Sequence, residues 1–539
     1  MTKMCCAGLA GCVLFLAVAL PAASEPARYE ADVCVYGGTA SGVMAGVAAA
    51  RAGRSVVIAE PSRWLGGMVG GGLRVSIDCK YPRDIGGLTK MMLEEDDRIG
   101  GESPHERQQA FRDLFRRLAD THGLQVLYEH RLGSVETAGG RLVSITLDYA
   151  PPGIDGCPAA EATGPAAARI RARVFIDASY EGDLMAGAGV PWCVGRESAA
   201  AYNESLAGVR NLRSFDLDPY VRPGDPSSGL LPMIDPEPVG PAGSASRHTM
   251  AYNFRLQFAG PGEGRPVPAP SEEYAARYAL VRRALETNRA FVGWPNGNYN
   301  RQSVISGGIP GRQSGYAEAD WRERSAIWRE WSEHVRIMHA LTGSTQTLKP
   351  GEYPDSEDFP PQLYIRLARR MLGAYVMTQH DLAYETRIDD PVGLGFYFVD
   401  IYPCRLVVVD GKVATEGETN ELVSPGPYPI AYRSLTPKRE DCRNLLVPVC
   451  LSASHVALSS MRMEPTYMIL GESAGIAAVR AIEEEAAVQD IDLPRYLAAL
   501  KEAGQVLHWD GTSYDDFRRG WLKWKTKQDQ PAETVEPET

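Results

Sequence analysis

Positive charge is in short supply in this 539-residue chain: 56 Lys and Arg stand against 68 Asp and Glu, a formal charge of -12. That balance argues against non-specific binding to nucleic acid or anionic lipid, because the long-range field repels phosphates. A locally basic pocket for an acidic substrate stays open. Paired cysteines are missing as well. Of the ten cysteines, Cys5, Cys6 and Cys12 fall in the N-terminal segment, and Cys34, Cys79, Cys157, Cys193, Cys404, Cys442 and Cys450 are scattered without a CxxC among them. Such scatter in a large chain points to buried thiols and away from a redox dithiol or a zinc site, and no metal is expected. Internal repeats are absent too.

The N-terminal apolar run, Ala7 to Leu20, is shorter than the ~20 residues a membrane span requires. Lys3 before it and Pro21-Ala22-Ala23-Ser24 after it complete an export signal, so the mature chain is expected to begin near Glu25, in the periplasm or outside the cell, with no stable membrane insertion. Leu9-Ala10-Gly11-Cys12 resembles a lipoprotein box but lies at the front of the run, where cleavage would leave no apolar segment before it. No Arg-Arg pair marks a twin-arginine signal, so a cofactor would be loaded after translocation.

Ala31 to Tyr36 alternates into a short strand, Gly37 to Gly42 is a glycine turn, Val43 to Ala52 has a helical pattern, and Ser55 to Ala59 is a second buried strand. This is a βαβ unit with parallel strands. In the turn Gly37-Gly38-Thr39-Ala40-Ser41-Gly42, Gly37 and Gly42 take the first and third glycine places of a dinucleotide fingerprint, and Thr39 replaces the second. Thr39 is small, and its hydroxyl is a candidate phosphate donor. Beyond Gly42 the helix N-terminus offers unpaired N–H groups to a pyrophosphate. Glu60 ends the second strand, where a carboxylate accepts hydrogen bonds from an adenosine ribose and repels a 2′-phosphate.

The glycines beyond Glu60 favour FAD over NAD. Trp64-Leu65-Gly66-Gly67-Met68 and then Gly70-Gly71-Gly72 come directly after the ribose-binding acid, where backbone can lie against a flavin, whereas a plain dehydrogenase would continue into another crossover helix. Val174 to Asp183, with Asp177 and Ala178 at its turn, is suited to pass beside the adenosine half. Asn444 to Val449 and the helix segment Gly471-Glu472-Ser473-Ala474-Gly475 are expected near the isoalloxazine, with a helix N-terminus stabilising the reduced flavin.

The expected fold class is α/β, a Rossmann-like FAD-binding domain with an inserted mixed α+β substrate domain. Residues 1–24 are the signal, 25–191 the first part of the FAD-binding domain, 192–400 the insertion, 401–485 the second part, and 486–539 an extension with a disordered tail. Within the insertion, Met250 to Phe258 reads as a strand, and Glu272 to Asn288, Glu318 to Leu341 and Gln362 to Met377 as helices.

With these pieces placed, the sequence resembles the FAD-dependent oxidoreductases of the two-dinucleotide-binding-fold type, in particular an often exported bacterial family distantly similar to fumarate reductase and succinate dehydrogenase flavoproteins. The resemblance rests on Gly37–Gly42, Leu65–Met68, Asp177–Asp183, Tyr364–Met371 and Arg462–Gly471. It implies FAD and a redox reaction but leaves the substrate undefined. Relatives of fumarate reductase can tether flavin to a His before the paired glycines. No His lies between Glu60 and Gly101, so FAD is expected to be non-covalent, with Cys79 the one alternative tether.

Hydride transfer to flavin N5 requires a group that takes the heteroatom proton. His455, after the Asn444–Val449 strand, is the first candidate, and Arg462, whose fork suits a carboxylate or a diol, resembles the arginine that fumarate reductase relatives bring to substrate. His248 and Tyr252 share a face of the expected strand with Arg255 nearby and are further candidates. Arg366, Arg369 and Arg370, joined by Arg405 and Arg433, form either an anion-binding face or, the favoured reading, solvated charge. Trp294, Trp321, Trp328 and Trp331 offer a stacking surface for a sugar ring or a helix packing face. The expected partners are a small-molecule or carbohydrate substrate and an unknown electron acceptor. Alternatives are a redox-neutral FAD-dependent lyase or isomerase acting on a glycan, a non-catalytic flavin-binding protein, and an NAD enzyme.

Overall fold

The structure is a computed structural model that describes residues 25–73, 75, 79, 84–99, 107–294 and 303–510. The expected signal segment and the tail after Gln528 lie outside the described residues. Strand β1 (Ala27–Tyr36) passes from exposed to buried over its length, α1 (Ala40–Arg51) follows the glycine turn, and β2 (Val56–Glu60) is buried at every position. A strand buried on both faces is what a parallel sheet covered by helices requires. Accordingly β1 and β2 pair in parallel, Val33 against Val56 and Tyr36 against Ala59.

Helices α2 (Gly87–Ile99) and α3 (Gln108–Thr121) lead to β3 (Gln125–Tyr128), then β4 (His130–Ala138), β5 (Arg141–Tyr149) and β6 (Gly164–Asp177). The sheet order is β3-β2-β1-β6-β5-β4. β6 runs parallel to β1, with Tyr36 opposite Asp177, and β4 and β5 extend the sheet antiparallel. The chain returns much later: the short strand Leu445–Leu446 pairs in parallel with the end of β6, Leu445 against Phe175. The α/β, Rossmann-like fold is thus as the sequence implies.

Helix Glu464–Glu483 closes the same layer against α1. A Cβ on Gly471 would stand 2.1 Å from the Ser41 carbonyl oxygen, and one on Gly475 2.3 Å from that of Ala45. The two backbones therefore touch, and only glycine fits at the contact. Among the described residues no helix is long and apolar enough to cross a membrane. The cysteines from Cys34 to Cys450 are free thiols, and Cys34, Cys157, Cys404, Cys442 and Cys450 are buried.

Two expected elements of the middle region do not form. Met250 to Phe258 is an extended but irregular segment whose one bridge joins Asn253 to Tyr364, and regular pairing begins only at Phe258–Ala259. Gln362 to Met377 is extended, with a two-residue strand at Arg370–Met371, instead of helical. Its arginines explain the override. Arg366 donates to the Ala251 carbonyl, Arg369 to Asp183 and the Glu181 carbonyl, and Arg370 to Glu197 and the Gly195 carbonyl. Three anchors on three different segments outweigh a helix propensity worth only tenths of a kcal/mol per residue, by the usual rough scale. The solvated-charge reading is overturned too, since Arg366, Arg369 and Arg370 are 1%, 8% and 0% exposed. Arg405 and Arg433 do not join them, pairing instead with Asp235 and Asp390. Arg405–Val409 and Lys412–Glu416 form a sheet with Arg213–Ser214, so strands from either side of residue 400 share one sheet.

Candidate active site

The glycine turn is shaped by contacts that exclude side chains. Gly37 has φ +93°, and a Cβ there would meet the Ser179 backbone nitrogen at 2.7 Å; one on Gly42 would meet the Gly37 carbonyl oxygen at 2.0 Å. Thr39 caps α1: its hydroxyl accepts from the Gly42 amide at 3.2 Å and donates to the Ala178 carbonyl at 2.8 Å. The hydroxyl expected to serve a phosphate is therefore spent on the turn itself. Ala40 and Ser41 supply the first-turn amides that no helix carbonyl can satisfy.

Glu60 binds the turn to the end of β2. One carboxylate oxygen accepts from the Gly38 amide at 2.6 Å and the other from the Ser62 amide at 2.7 Å. Burial pushes its carboxyl above the ordinary range, against the pull of these hydrogen bonds. A carboxylate has about four acceptor positions, so two remain for ribose hydroxyls. Glu60 faces a cleft lined on this side by Gly37, Thr39, Ser62, Trp64 and Gly67, and on the other by Ser179 to Glu181, Tyr316, Trp321, Trp328 and Pro361 to Ile365 except Tyr364. Arg131, its guanidinium 4.9 Å above the Trp321 ring, is the basic side chain among these lining residues. The turn, the acid and a cleft with a wall of aromatic rings fit an adenine dinucleotide. Sequence reasoning missed Arg131 and left Trp321 and Trp328 undecided between stacking and packing; they line the cleft, while Trp331 is core and donates to the Tyr252 carbonyl at 3.0 Å.

The second glycine motif sits directly on the first. The Gly66 amide donates to the Gly38 carbonyl at 2.8 Å, a Cβ on Gly66 would enter the Phe115 ring, and one on Gly67 would meet the Tyr180 hydroxyl at 2.4 Å. That hydroxyl accepts from the Met68 amide at 2.9 Å and donates to Glu464 at 2.6 Å. The first residue of helix Glu464–Glu483 is thus tied to the Gly66–Met68 turn. Asp177 and Ala178 build the wall behind it: Asp177 accepts from the Ser179 and Met185 amides, and burial pushes its carboxyl up to about 6.

Gly471, Glu472, Ala474 and Gly475 do not line the cleft, contrary to their expected place near the isoalloxazine. The glycines serve the helix contact with α1, and Ala474 is fully buried in the core. Glu472 accepts from the Leu88 amide at 2.8 Å and from Gln505 at 2.5 Å. Burial pushes its carboxyl up to about 7 from the ordinary 4.5. The folded chain therefore holds a proton that the unfolded chain releases near pH 4.5. Its stabilising contribution is complete below that pH and is lost as pH rises through about 7. Glu472→Gln is expected to flatten the decline of unfolding free energy between about pH 5 and 7 by up to about 1.4 kcal/mol per pH unit, read by denaturant melts of both proteins. Parallel declines would refute this assignment.

The catalytic candidates scatter. His248 hydrogen-bonds Ser314 through Nδ1 at 2.8 Å and faces Asp235 through Nε2 at 2.9 Å. Asp235, Glu237 and His248 have ligand atoms within 4.8 Å of one another, but Arg405 and Arg247 pair with the two acids and supply positive charge there. Tyr252 donates to the Leu367 carbonyl at 2.7 Å, and burial pushes its phenol far above the ordinary range. Neither lines the cleft. His455 opens helix His455–Met461 with its Nε2 buried and without a hydrogen-bond partner. Burial, then Arg370, Arg196 and Arg462, hold its imidazole well below the ordinary range, so it is neutral. Arg462, 2% exposed, donates to the Tyr364 hydroxyl and to Asp400, both at 2.9 Å.

Arg462 belongs to a cluster that the sequence did not reveal. The Arg366 guanidinium lies 3.9 Å from the Tyr402 ring centre and 4.8 Å from that of Tyr364, with Arg255 at 5.1 Å from the latter. Burial lowers Arg366 to about 10, with Arg255 and Arg462 adding to the effect and the two tyrosines opposing it, which leaves it charged at neutral pH. A buried charge without an ionic partner costs several kcal/mol, and a cation–π contact offsets about 2.

The model of a family described as FAD dependent oxidoreductase matches residues 32–503. No curated protein matches the chain in sequence. Among solved structures, AlpK is 17% identical over 32% of this chain and 36% of its own, with a TM-score of 0.22. The myxobacterial chondrochloren halogenase CndH, a variant of FAD-dependent halogenases, is 18% identical over 28% and 37%, TM-score 0.20. A flavin monooxygenase from Stenotrophomonas maltophilia is 20% identical over 28% and 38%, TM-score 0.19. This chain thus spans little more than a third of each of these proteins.

Proposed function

Because the chain belongs to the FAD dependent oxidoreductase family, we propose that it is an exported enzyme that moves hydride between non-covalent FAD and a polar small molecule, a hydroxy acid or a carbohydrate. The observation that carries this reading is the joining of Gly37, Glu60 and Gly67 in one cleft whose far wall, Trp321, Trp328 and Leu363, comes from the middle of the chain. When bound, FAD supplies N5 as the hydride acceptor. Oxidation of an alcohol there would require a protein base to take the O–H proton as the C–H hydride leaves and the carbonyl forms. The neutral imidazole of His455 is the proton acceptor in this reading, and Arg462 orients the substrate oxygens. An unknown acceptor takes the electrons afterwards.

Anaerobic mixing of the yellow protein with sugars, uronates and hydroxy acids tests this. A substrate is expected to bleach the absorbance near 450 nm, a wavelength approximate to the cofactor. His455→Ala is expected to retain flavin and bleach about 10²- to 10⁴-fold more slowly, the usual range for a lost acid–base group. Product formed with no acceptor and no net reduction would instead establish the lyase or isomerase alternative. Unchanged bleaching in His455→Ala would remove that residue from the chemistry.

A further inference from the structure

Buried arginines in this protein come with carboxylates. Arg196 pairs with Glu416, Arg324 with Asp183, Arg370 with Glu197 and Arg405 with Asp235, all with side chains at most 4% exposed on the arginine side. Arg131 is one exception, resting on the Trp321 ring with its donors on the Ala159 and Ala160 carbonyls; Arg255 and Arg366 are two more. Neither has an acidic partner among the described residues, and Nε of both and Nη2 of Arg366 are buried without a hydrogen bond, although the residues are 9% and 1% exposed. Arg366 spends one nitrogen on the Ala251 carbonyl and rests its face on Tyr402. Asp400 is the acid of this cluster, and it is engaged by Arg462 at 2.9 Å. Among the described residues, three guanidinium groups thus gather around Tyr364, and the Asp400 carboxylate pairs with one of them, Arg462.

The cluster adjoins the glycine motifs. A Cβ on Gly72 would stand 2.2 Å from Arg255 Cβ, and one on Gly71 would stand 2.6 Å from Gln362 Cβ, so the Gly70–Gly72 loop is pressed onto Arg255 and the start of the segment that carries Arg366. Arg462 lies two residues before Glu464, which Tyr180 links to Met68.

We propose that Arg366, Arg255 and Arg462 form a binding site for a carboxylate of the substrate, an inference that rests on the flavin reading of the cleft. The planar fork of arginine matches a carboxylate in two parallel hydrogen bonds, and the unused Nε and Nη2 of Arg366 are the edge that makes such a pair. The substrate class narrows to hydroxy acids and sugar acids, and a neutral sugar lacks the group these side chains are missing.

Titration of the FAD-loaded protein with oxalate and malonate, followed by calorimetry and by perturbation of the flavin spectrum, tests the site. Both are expected to bind, and malonamide, the uncharged diamide of malonate, to bind at least about 10-fold more weakly, because it lacks the negative charge that strengthens both hydrogen bonds of the fork. Arg366→Met is expected to weaken oxalate about 10- to 100-fold, the range for lost charged hydrogen bonds, with flavin content unchanged. Arg366→Lys should recover only part, since the charge returns without the fork. If Arg366→Met fails to fold, Arg255→Met and the wild-type titration decide. Yellow protein that binds neither acid, malonamide binding as tight as malonate, or unaltered oxalate affinity in the variants would overturn the proposal. Protein that takes up no flavin would defeat the functional reading instead, and oxalate calorimetry on that colourless protein would still decide the anion site.

Discussion

Gly42→Ala is expected to leave the protein nearly colourless after purification with FAD. The added methyl would sit 2.0 Å from the Gly37 carbonyl oxygen, so the turn or the start of α1 must move. Backbone shifts of that kind cost about 1–3 kcal/mol. Gly37 lines the cleft, and its displacement moves the first glycine place away from the pyrophosphate. FAD affinity should fall about 10- to 100-fold, the same free energy expressed as a dissociation constant. Gly53→Ala is the matched control. Its φ of +76° makes alanine strained, yet nothing lies within 4 Å of the new methyl, so it should cost about 1 kcal/mol of stability and leave flavin affinity alone. Fluorescence titration of FAD into both variants reads the difference, and equal affinities would contradict the role given to the turn.

Arg196→Met is expected to be the most destabilising single change away from the cleft. Arg196 and Glu416 form a two-pronged pair at 2.9 and 2.7 Å, with side chains 2% and 0% exposed. Arg196 also donates to the carbonyls of His248 and Gly208. Removing it leaves Glu416 with the Arg210 amide at 3.1 Å and a long contact to Arg405 at 3.5 Å. Breaking a buried pair from one side costs about 3–5 kcal/mol, because the other charge stays buried. Arg196→Met combined with Glu416→Leu should recover a large part of that loss. Urea melts of the single and double variants measure it. A single variant as stable as the wild type would show that the pair carries no weight.

How far the sequence could be read depends on whether the signal is local. The β1–α1–β2 unit was legible because strand, turn, helix and terminal acid follow one another without interruption from Ala31 to Glu60, and each obeys a local rule of period or backbone conformation. That Leu445–Leu446 is a buried strand was legible from its apolar run before Pro448, whereas its pairing with β6 was not. Arg366, Arg369 and Arg370 were not, since their spacing matches a helix face while their partners, Ala251, Asp183 and Glu197, are distant in the chain. Gly471 and Gly475 misled for a related reason: a small residue marks close approach but does not say to what, and here it is α1 instead of a cofactor. Thr39 looked like a phosphate donor because the Ala178 carbonyl that takes its proton comes just after β6, far along the chain.

The central claim is that FAD lies in the cleft with its adenosine ribose on Glu60 and its pyrophosphate over Gly37 to Gly42. A crystal structure of the FAD-loaded protein tests it most directly. Ribose hydroxyls within hydrogen-bond distance of the Glu60 carboxylate, beside Trp64 and Arg131, are the predicted result. Cofactor density elsewhere, or a cleft that stays empty in yellow crystals, would contradict it.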